Sequence, residues 1–335
     1  MIPSLLDRSL DWTVLPGYSR LGYAVRKRAW ADEPGEGGFD GWSVLVTGAS
    51  SGIGAATCER LARGGATVHM LVRNRERGER ARAEIADRAG AGELVLELCD
   101  VSSLAAVREF AGRFAAEHPE LHALVNNAAV MPPERTRTEE GFELAFATNV
   151  LGPFLLTNLL IPTLRRGAPS RIVNVSSGGM YSQRLRVDDL QLEDRDYQPS
   201  AVYAHTKRCE VVLTELWAKR LRGSGVTVHS MHPGWADTPG VRESLPRFRR
   251  LMRPLLRDAG QGADTIVWLA TAPEPGSTSG LFWHDREPRR LHRVPWTKET
   301  PADRQRLWDE CARLTGWSEE SSTRVGAGQI TEEAT

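Results

Sequence analysis

Thr47-Gly-Ala-Ser-Ser-Gly-Ile-Gly54 follows the apolar run Ser43-Val-Leu-Val-Thr47 and leads into residues with helical spacing as far as about position 63. Glycines at 48, 52 and 54 let the backbone turn tightly, approach a pyrophosphate and open a helix whose unpaired N–H groups face the anion. Gly48, Ser50, Ser51, Gly52, Ile53 and Gly54 are therefore candidate cofactor contacts. A glycine trio is common by chance; its place between a strand and a helix gives it meaning.

Outward from this turn the pattern alternates. Strands are predicted over 43–47, 67–72, 94–98, 121–125, 171–175, 226–230 and 280–283, with helices over 75–88, 102–117, 143–165 and around Tyr203-Ala-His-Thr-Lys207. Alternation at this spacing implies an α/β fold of the Rossmann type, a doubly wound parallel sheet of about seven strands with helices on both faces. Ligands in such sheets bind beyond the carboxyl ends of the strands. The organisation expected is an N-terminal extension over 1–40, ending in the linker-like Pro34-Gly-Glu-Gly-Gly38, a dinucleotide-binding catalytic domain over 41–285, and a C-terminal extension over 286–335. A helix over 301–317 would bring Leu307, Trp308, Cys311 and Leu314 to one side, and the polar residues 318–335 read as mobile.

The balance of 43 basic and 43 acidic side chains recommends neither nucleic acid nor an anionic membrane as the main partner. The scattered cysteines at 58, 99, 209 and 311 form no metal-binding or disulfide pattern, so no metal is expected and a reducing, cytoplasmic setting fits. No signal-peptide region develops at the N-terminus, and the most apolar run, 150–162, carries Asn158 and two prolines, so no transmembrane segment is expected. Trp12, Tyr18, Tyr23 and Trp30, interleaved with basic residues, admit a peripheral membrane contact; packing over the core is the favoured alternative.

Tyr203 and Lys207 carry the chemistry. On a helix, residues i and i+4 share a face, so the ammonium would sit beside the phenol and favour its ionised form. Two unit charges about 4 Å apart interact by roughly 4 kcal/mol at an effective dielectric near 20, and one pKa unit is about 1.4 kcal/mol. The expectation is a tyrosine drawn toward neutrality, usable as acid and base.

Leu71-Val72-Arg73-Asn74 offers no carboxylate to an adenosine ribose, whereas Arg73 can pair with a 2′-phosphate. This points to NADP(H) rather than NAD(H), unless Arg73 only begins a solvated basic helix. Asp100, beside Val101, could accept from the adenine amino group or cap the following helix. Asn126-Asn-Ala-Ala129, including Asn127 and Ala128, places small residues where a cofactor needs clearance.

Thr47 to Gly54, Asn126 to Ala129, Asn149, Ser176-Ser177, Tyr203/Lys207 and Pro233-Gly-Trp-Ala-Asp-Thr238 resemble, in that order, the short-chain dehydrogenase/reductase superfamily over residues 41–285. More narrowly, Asn174-Val-Ser-Ser-Gly-Gly-Met180 and the run from His232 to Val241 look like the branch containing family member 12 and the retinol dehydrogenase-like group. The resemblance implies strand order 3-2-1-4-5-6-7 and carbonyl/alcohol interconversion. It gives Tyr203 proton exchange with the substrate oxygen and Lys207 a bond to the nicotinamide ribose. Ser177 would hydrogen-bond the carbonyl, and Asn149 would hold a water in a relay to Lys207. Thr238 would meet the nicotinamide carboxamide and Asn127 the adenosine side, with Pro233 and Gly234 also binding the cofactor. Alternation cannot choose between Ser176 and Ser177, because a strand buried on both faces is apolar throughout; the resemblance favours the second.

Ala129 departs from the family glycine, and the segment between Ser177 and Tyr203, with acidic Asp188-Asp-Leu-Gln-Leu-Glu-Asp194, is longer than usual. It reads as either the shape of the substrate entrance or a solvated loop. Val130, Met131, Met180, Tyr181 and Trp235 suggest an apolar pocket for a lipophilic small molecule. Residues 235–257 read as a lid whose arginines would attract an acidic group or simply coat a surface helix. His205 and His232 read as structural. Family members often dimerise through the helices near Asn149 and Tyr203, so a homodimer is admitted unless the extensions cover those faces. The other readings are a non-catalytic nucleotide-binding regulator and a C=C bond reductase.

Overall fold

The apolar runs become strands where β-branched residues can be buried on both faces. In the computed structural model, which describes residues 7, 10–30, 38–90, 92–244 and 246–319, these are β1 (Ser43–Thr47), β2 (Thr67–Val72), β3 (Leu94–Leu98), β4 (Ala123–Asn126), β5 (Ser170–Val175), β6 (Val226–Met231), β7 (Phe282–His284) and β8 (Glu287–Arg289). They form one sheet in the order β3-β2-β1-β4-β5-β6-β7-β8, parallel except for the last pair. The order expected for seven strands is therefore present, with an eighth added. β7 reverses into β8 through Asp285 and Arg286, both with positive φ, as a tight hairpin demands. Two successive left-handed non-glycine residues gave no turn signal in the sequence, which hid this hairpin.

The helices are α1 (Val14–Tyr18), α2 (Arg20–Lys27), α3 (Gly52–Arg63), α4 (Arg75–Ala89), α5 (Leu104–Glu117), α6 (Gly152–Arg166), α7 (Pro199–Arg220), α8 (Pro239–Ser244), α9 (Pro246–Met252), α10 (Ala259–Thr271) and α11 (Pro301–Thr315). Alternation along the strands sorts two cores. Val44, Val46, Val68 and Met70 pack with Leu61, Ile85 and Ile266 of α3, α4 and α10. Leu45, Leu71 and Leu124 pack on the other face with Phe114, Phe154 and Val212 of α5, α6 and α7.

The continuous helical run Leu144–Arg166 is long and apolar enough to cross a bilayer by length and composition, and 89% of its most apolar window is buried in this fold. A buried central helix passes the same test as a membrane span because both lack water on every side. The C-terminal helix forms as expected, and Leu307, Trp308 and Cys311 join the α6/α7 core, Trp308 lying edge-on to Phe154 and Trp217. α11 thus packs on the helices considered for dimerisation. Residues 34–37 of the expected linker and 320–335 of the expected mobile tail lie outside the described residues.

Candidate active site

The glycine turn is shaped by close backbone approach. Gly48 has φ +67°, and a Cβ there would lie 2.9 Å from the Ala128 Cα; a Cβ on Gly54 would lie 2.3 Å from the Gly48 carbonyl oxygen. Only glycine lets the turn press against the end of β4. Asn127 donates from its side-chain amide to the Thr47 carbonyl (2.9 Å), while the Thr47 hydroxyl accepts from the backbone N–H groups of Asn127 and Ala128 (both 2.9 Å). Asn127 therefore braces the turn, a role its place in the sequence did not reveal. Ser51 caps α3 without a side-chain hydrogen bond, which leaves first-turn N–H groups directed outward. Gly52 lies against Thr238 and Pro239, where a Cβ would meet either side chain at 3.4 Å. An anion-accepting helix end beside a groove fits the pyrophosphate of a dinucleotide.

Arg73 and Asp100 stand at the ends of β2 and β3. Arg73 is exposed, its guanidinium 3.9 Å from one Asp100 oxygen. The other Asp100 oxygen accepts from the Ser102 N–H (2.9 Å) and hydroxyl (2.7 Å), whereas Ser103 caps α5. Asp100 thus closes a local turn. Val101 is buried, with its carbonyl pressed on Gly152.

Beyond β5 the two serines separate. Ser176 is buried and donates to the Lys207 carbonyl at 2.9 Å; Ser177 is partly exposed, accepts from the Gly179 N–H at 3.1 Å and faces the Tyr203 phenol. Only the second hydroxyl is open to a ligand. Lys207 is fully buried, its Nζ 5.4 Å from the Tyr203 ring centre. It donates to the Val175 carbonyl (2.9 Å) and to Glu210 (2.7 Å). Glu210, one turn on, is the site residue that sequence reasoning missed; a carboxylate at i+3 from Lys207 was its signal.

This carboxylate changes the electrostatics. Burial raises Glu210 to about 7. Burial opposes the Lys207 ammonium, yet Glu210 and Tyr203 hold its pKa above the ordinary value. Tyr203 is raised, not lowered: burial disfavours the phenolate, and the pull of Lys207 is opposed by Glu210. The expected depression toward neutrality is therefore absent, because burial of the phenol outweighs the pull of Lys207, which Glu210 also opposes.

Asn149 sits in a π-helical turn, Ala147–Leu151. Its Oδ1 accepts from the Val130 N–H (2.9 Å), and its amide donates to the Val130 carbonyl (3.1 Å) and the Thr206 hydroxyl (2.9 Å). The side chain is committed to protein groups, which leaves its main chain for any relay. Gly234 has φ +78°, with Arg257 packed against it and bonded to the Pro233 carbonyl at 3.3 Å.

The walls come from distant segments. Tyr18 of α1 packs edge-on to His232 (4.4 Å) and Trp235 (6.0 Å), and a Cβ on Gly178 would meet its ring at 2.8 Å. The described N-terminal extension thus packs over the core beside Ser177. Met180 is fully buried with Val211 and Phe282, so it does not line a pocket as expected, whereas Val130, Met131, Tyr181 and Trp235 are partly exposed. Ser244 of α8 donates to the Met131 carbonyl at 3.1 Å. Arg242 and Arg249 bind Asp237, holding it at about 2, and Arg257 binds Asp285, so these lid arginines are engaged internally. The long segment before Tyr203 is pinned: Gln191 accepts from the Glu143 N–H, Tyr197 donates to the Pro132 carbonyl, and His205 accepts from the Arg186 N–H. His232 packs against His284 with their rings 4.8 Å apart.

Residues 43–188 match a sequence family described as short chain dehydrogenase. The chain is 41% identical over 307 residues to dehydrogenase/reductase SDR family member 12 of Bos taurus, covering 90% of this chain and 96% of the relative. The chain belongs to the short-chain dehydrogenase/reductase family. Human retinol dehydrogenase 11, another family relative, is 39% identical, with 82% and 85% covered. Among solved structures, an uncharacterised protein from Mycobacterium paratuberculosis has a TM-score of 0.68 at 30% identity, covering 86% of this chain and 97% of that one. The 3-ketoacyl-(acyl-carrier-protein) reductase of Brucella melitensis, solved with NADH, has a TM-score of 0.58 at 25% identity, with 73% and 96% covered. This family membership makes the chain a dehydrogenase/reductase-type oxidoreductase.

Proposed function

We propose that this chain is an NADP(H)-dependent reductase of ketones or aldehydes with a lipophilic body. The observation carrying the reading is the convergence of Ser177, Tyr203 and the buried Lys207 beyond β5, beside a glycine turn that fits a dinucleotide. When bound, the nicotinamide supplies or accepts the hydride. Ser177 orients the substrate carbonyl, and Tyr203 gives its proton to the oxygen as alkoxide charge develops. A phenol with raised pKa is protonated at neutral pH, the form reduction requires. Lys207 would hold the nicotinamide ribose, and its ammonium beside the phenol would stabilise the phenolate left when Tyr203 gives up its proton.

A carbonyl panel with NADPH tests the reading: turnover of medium-chain and ring-bearing carbonyls is expected, and turnover only of small polar aldehydes would sink the lipophilic assignment. Tight NADPH binding without turnover would favour a regulatory protein; a saturated C–C product would favour C=C reduction. Arg73 supports the NADP(H) assignment through its exposed guanidinium at the end of β2. Arg73→Ala should raise KM for NADPH about tenfold or more with little change for NADH, and an unchanged ratio in steady-state kinetics would remove the claim.

Glu210→Gln removes the charge opposing Lys207. With that carboxylate gone, the Tyr203 pKa falls, so the alkaline limb of the reduction profile should move down by about one pH unit. An unmoved kcat/KM profile would show that Glu210 does not act on the phenol.

A cytoplasmic setting is supported by four buried, unbridged cysteines. Peripheral membrane contact is supported by exposed Trp12, Val14, Leu15 and Leu21 on the N-terminal extension. Because α11 covers part of α6 and α7, a homodimer would have to form around it.

A further inference from the structure

At the outer half of the sheet, His69 of β2 and Glu97 of β3 project toward α5, and His118 follows the last turn of that helix. The register sets His69 opposite Val95 and Leu71 opposite Glu97, so the imidazole and the carboxylate stand diagonally on one face. His69 Nδ1 is 3.5 Å from Glu97 Oε1, and His118 Nε2 is 4.0 Å from the same oxygen. One ligand atom from each of the three lies within 4.8 Å of the others.

The second observation is an orphan. His69 is 1% exposed, yet its Nδ1 has no hydrogen-bond partner and is aimed at this cluster. A buried imidazole nitrogen left so is costly unless something fills the gap. His118 is 30% exposed and opens the cluster to solvent. The other Glu97 oxygen accepts from Arg113 at 2.8 Å, and Arg113 is held in turn by Glu117 at 3.1 Å. Hydrogen-bonded carboxylates of this kind are the usual outer support of metal ligands, leaving the second oxygen to bind.

Zinc bonds of about 2.0–2.2 Å place tetrahedral ligand atoms roughly 3.3 Å apart, so the two imidazoles must draw in toward Glu97 from their present 3.5 and 4.0 Å to close on the ion. Two imidazoles and one carboxylate, with no thiolate, suit zinc and its first-row neighbours better than magnesium or calcium. We propose that His69, Glu97 and His118 bind a zinc-class divalent cation with solvent as fourth ligand. The site clamps β2 to β3 and to the end of α5. β1 and β4 separate it from β5 and Ser177, so its role is structural and independent of hydride transfer.

The test uses untagged, EDTA-stripped full chain titrated with Co²⁺ by visible absorption and with Zn²⁺ by calorimetry. One equivalent of Co²⁺ should give d–d bands displaced by Zn²⁺, and His118→Ala and Glu97→Gln should each weaken binding by at least about tenfold. His118→Ala changes a side chain at a helix end, and circular dichroism of the variant checks its folding. Absence of stoichiometric binding by the wild type, or a His118→Ala dissociation constant within about twofold of it, would overturn the proposal.

Discussion

Tyr203→Phe should lower kcat/KM for carbonyl reduction by about 10²–10⁴-fold, with NADPH binding changed by less than about threefold. The substitution keeps the ring that packs beside Lys207 and removes only the hydroxyl, and with it the proton to be given. Ser177 cannot replace it, because its hydroxyl is placed to accept from Gly179 and to orient an oxygen. The raised phenol pKa makes a further statement: reduction should hold across neutral pH and fall only at alkaline pH, as the phenol loses its proton. Fluorescence titration with NADPH separates binding from chemistry. Near-normal turnover in the variant would contradict the mechanism.

Asp285→Ala should destabilise the fold by about 3–5 kcal/mol at pH 7, measured by denaturant unfolding. Asp285 is buried between two guanidiniums, accepting from Arg257 at 2.6 and 2.8 Å and from Arg26 at 2.8 Å. Arg26 belongs to α2 and Arg257 ends the lid region, so one carboxylate ties the N-terminal extension, the lid and the β7–β8 hairpin together. Its removal strands two buried cations. Burial alone would raise the Asp285 pKa, but His284, Arg257 and Arg26 hold it far below the carboxylate range. His284 is itself lowered to about 4 by burial, so at neutral pH the arginines supply the charge. A depressed carboxyl contributes fully above its unfolded pKa of about 4, and the contribution is lost as pH falls through the folded value. The gap between wild type and Asp285→Asn should therefore be complete at pH 7 and shrink below about pH 4. A difference under about 1 kcal/mol at pH 7 would show that the carboxylate is not the tie.

Much of the site was legible because its signals are local. The glycine turn, the strands beside it and the Tyr203/Lys207 spacing each depend on neighbours within a few residues, and helical periodicity alone puts phenol and ammonium on one face. The parallel order followed from alternating elements. Less was legible where a residue's role depends on what lies across space. Ser176 and Ser177 are indistinguishable along the chain, and packing turned one into the α7 backbone and left the other facing the phenol. Met180 looked like a pocket residue and became core, because Arg208 and Phe282 close over it.

By itself the sequence determined the α/β class, the position of the glycine turn and the pairing of the Tyr203 phenol with Lys207, since turn geometry and helix spacing are properties of adjacent residues. Tertiary structure alone decided the charge on that phenol's surroundings. Desolvation and the Lys207–Glu210 pair set it, and both exist only once α7 is buried against β5. It also decided that Tyr18, some 160 residues before Ser177 in the chain, forms a wall beside it, because Asp285 gathers α2, the lid and the hairpin around one buried charge.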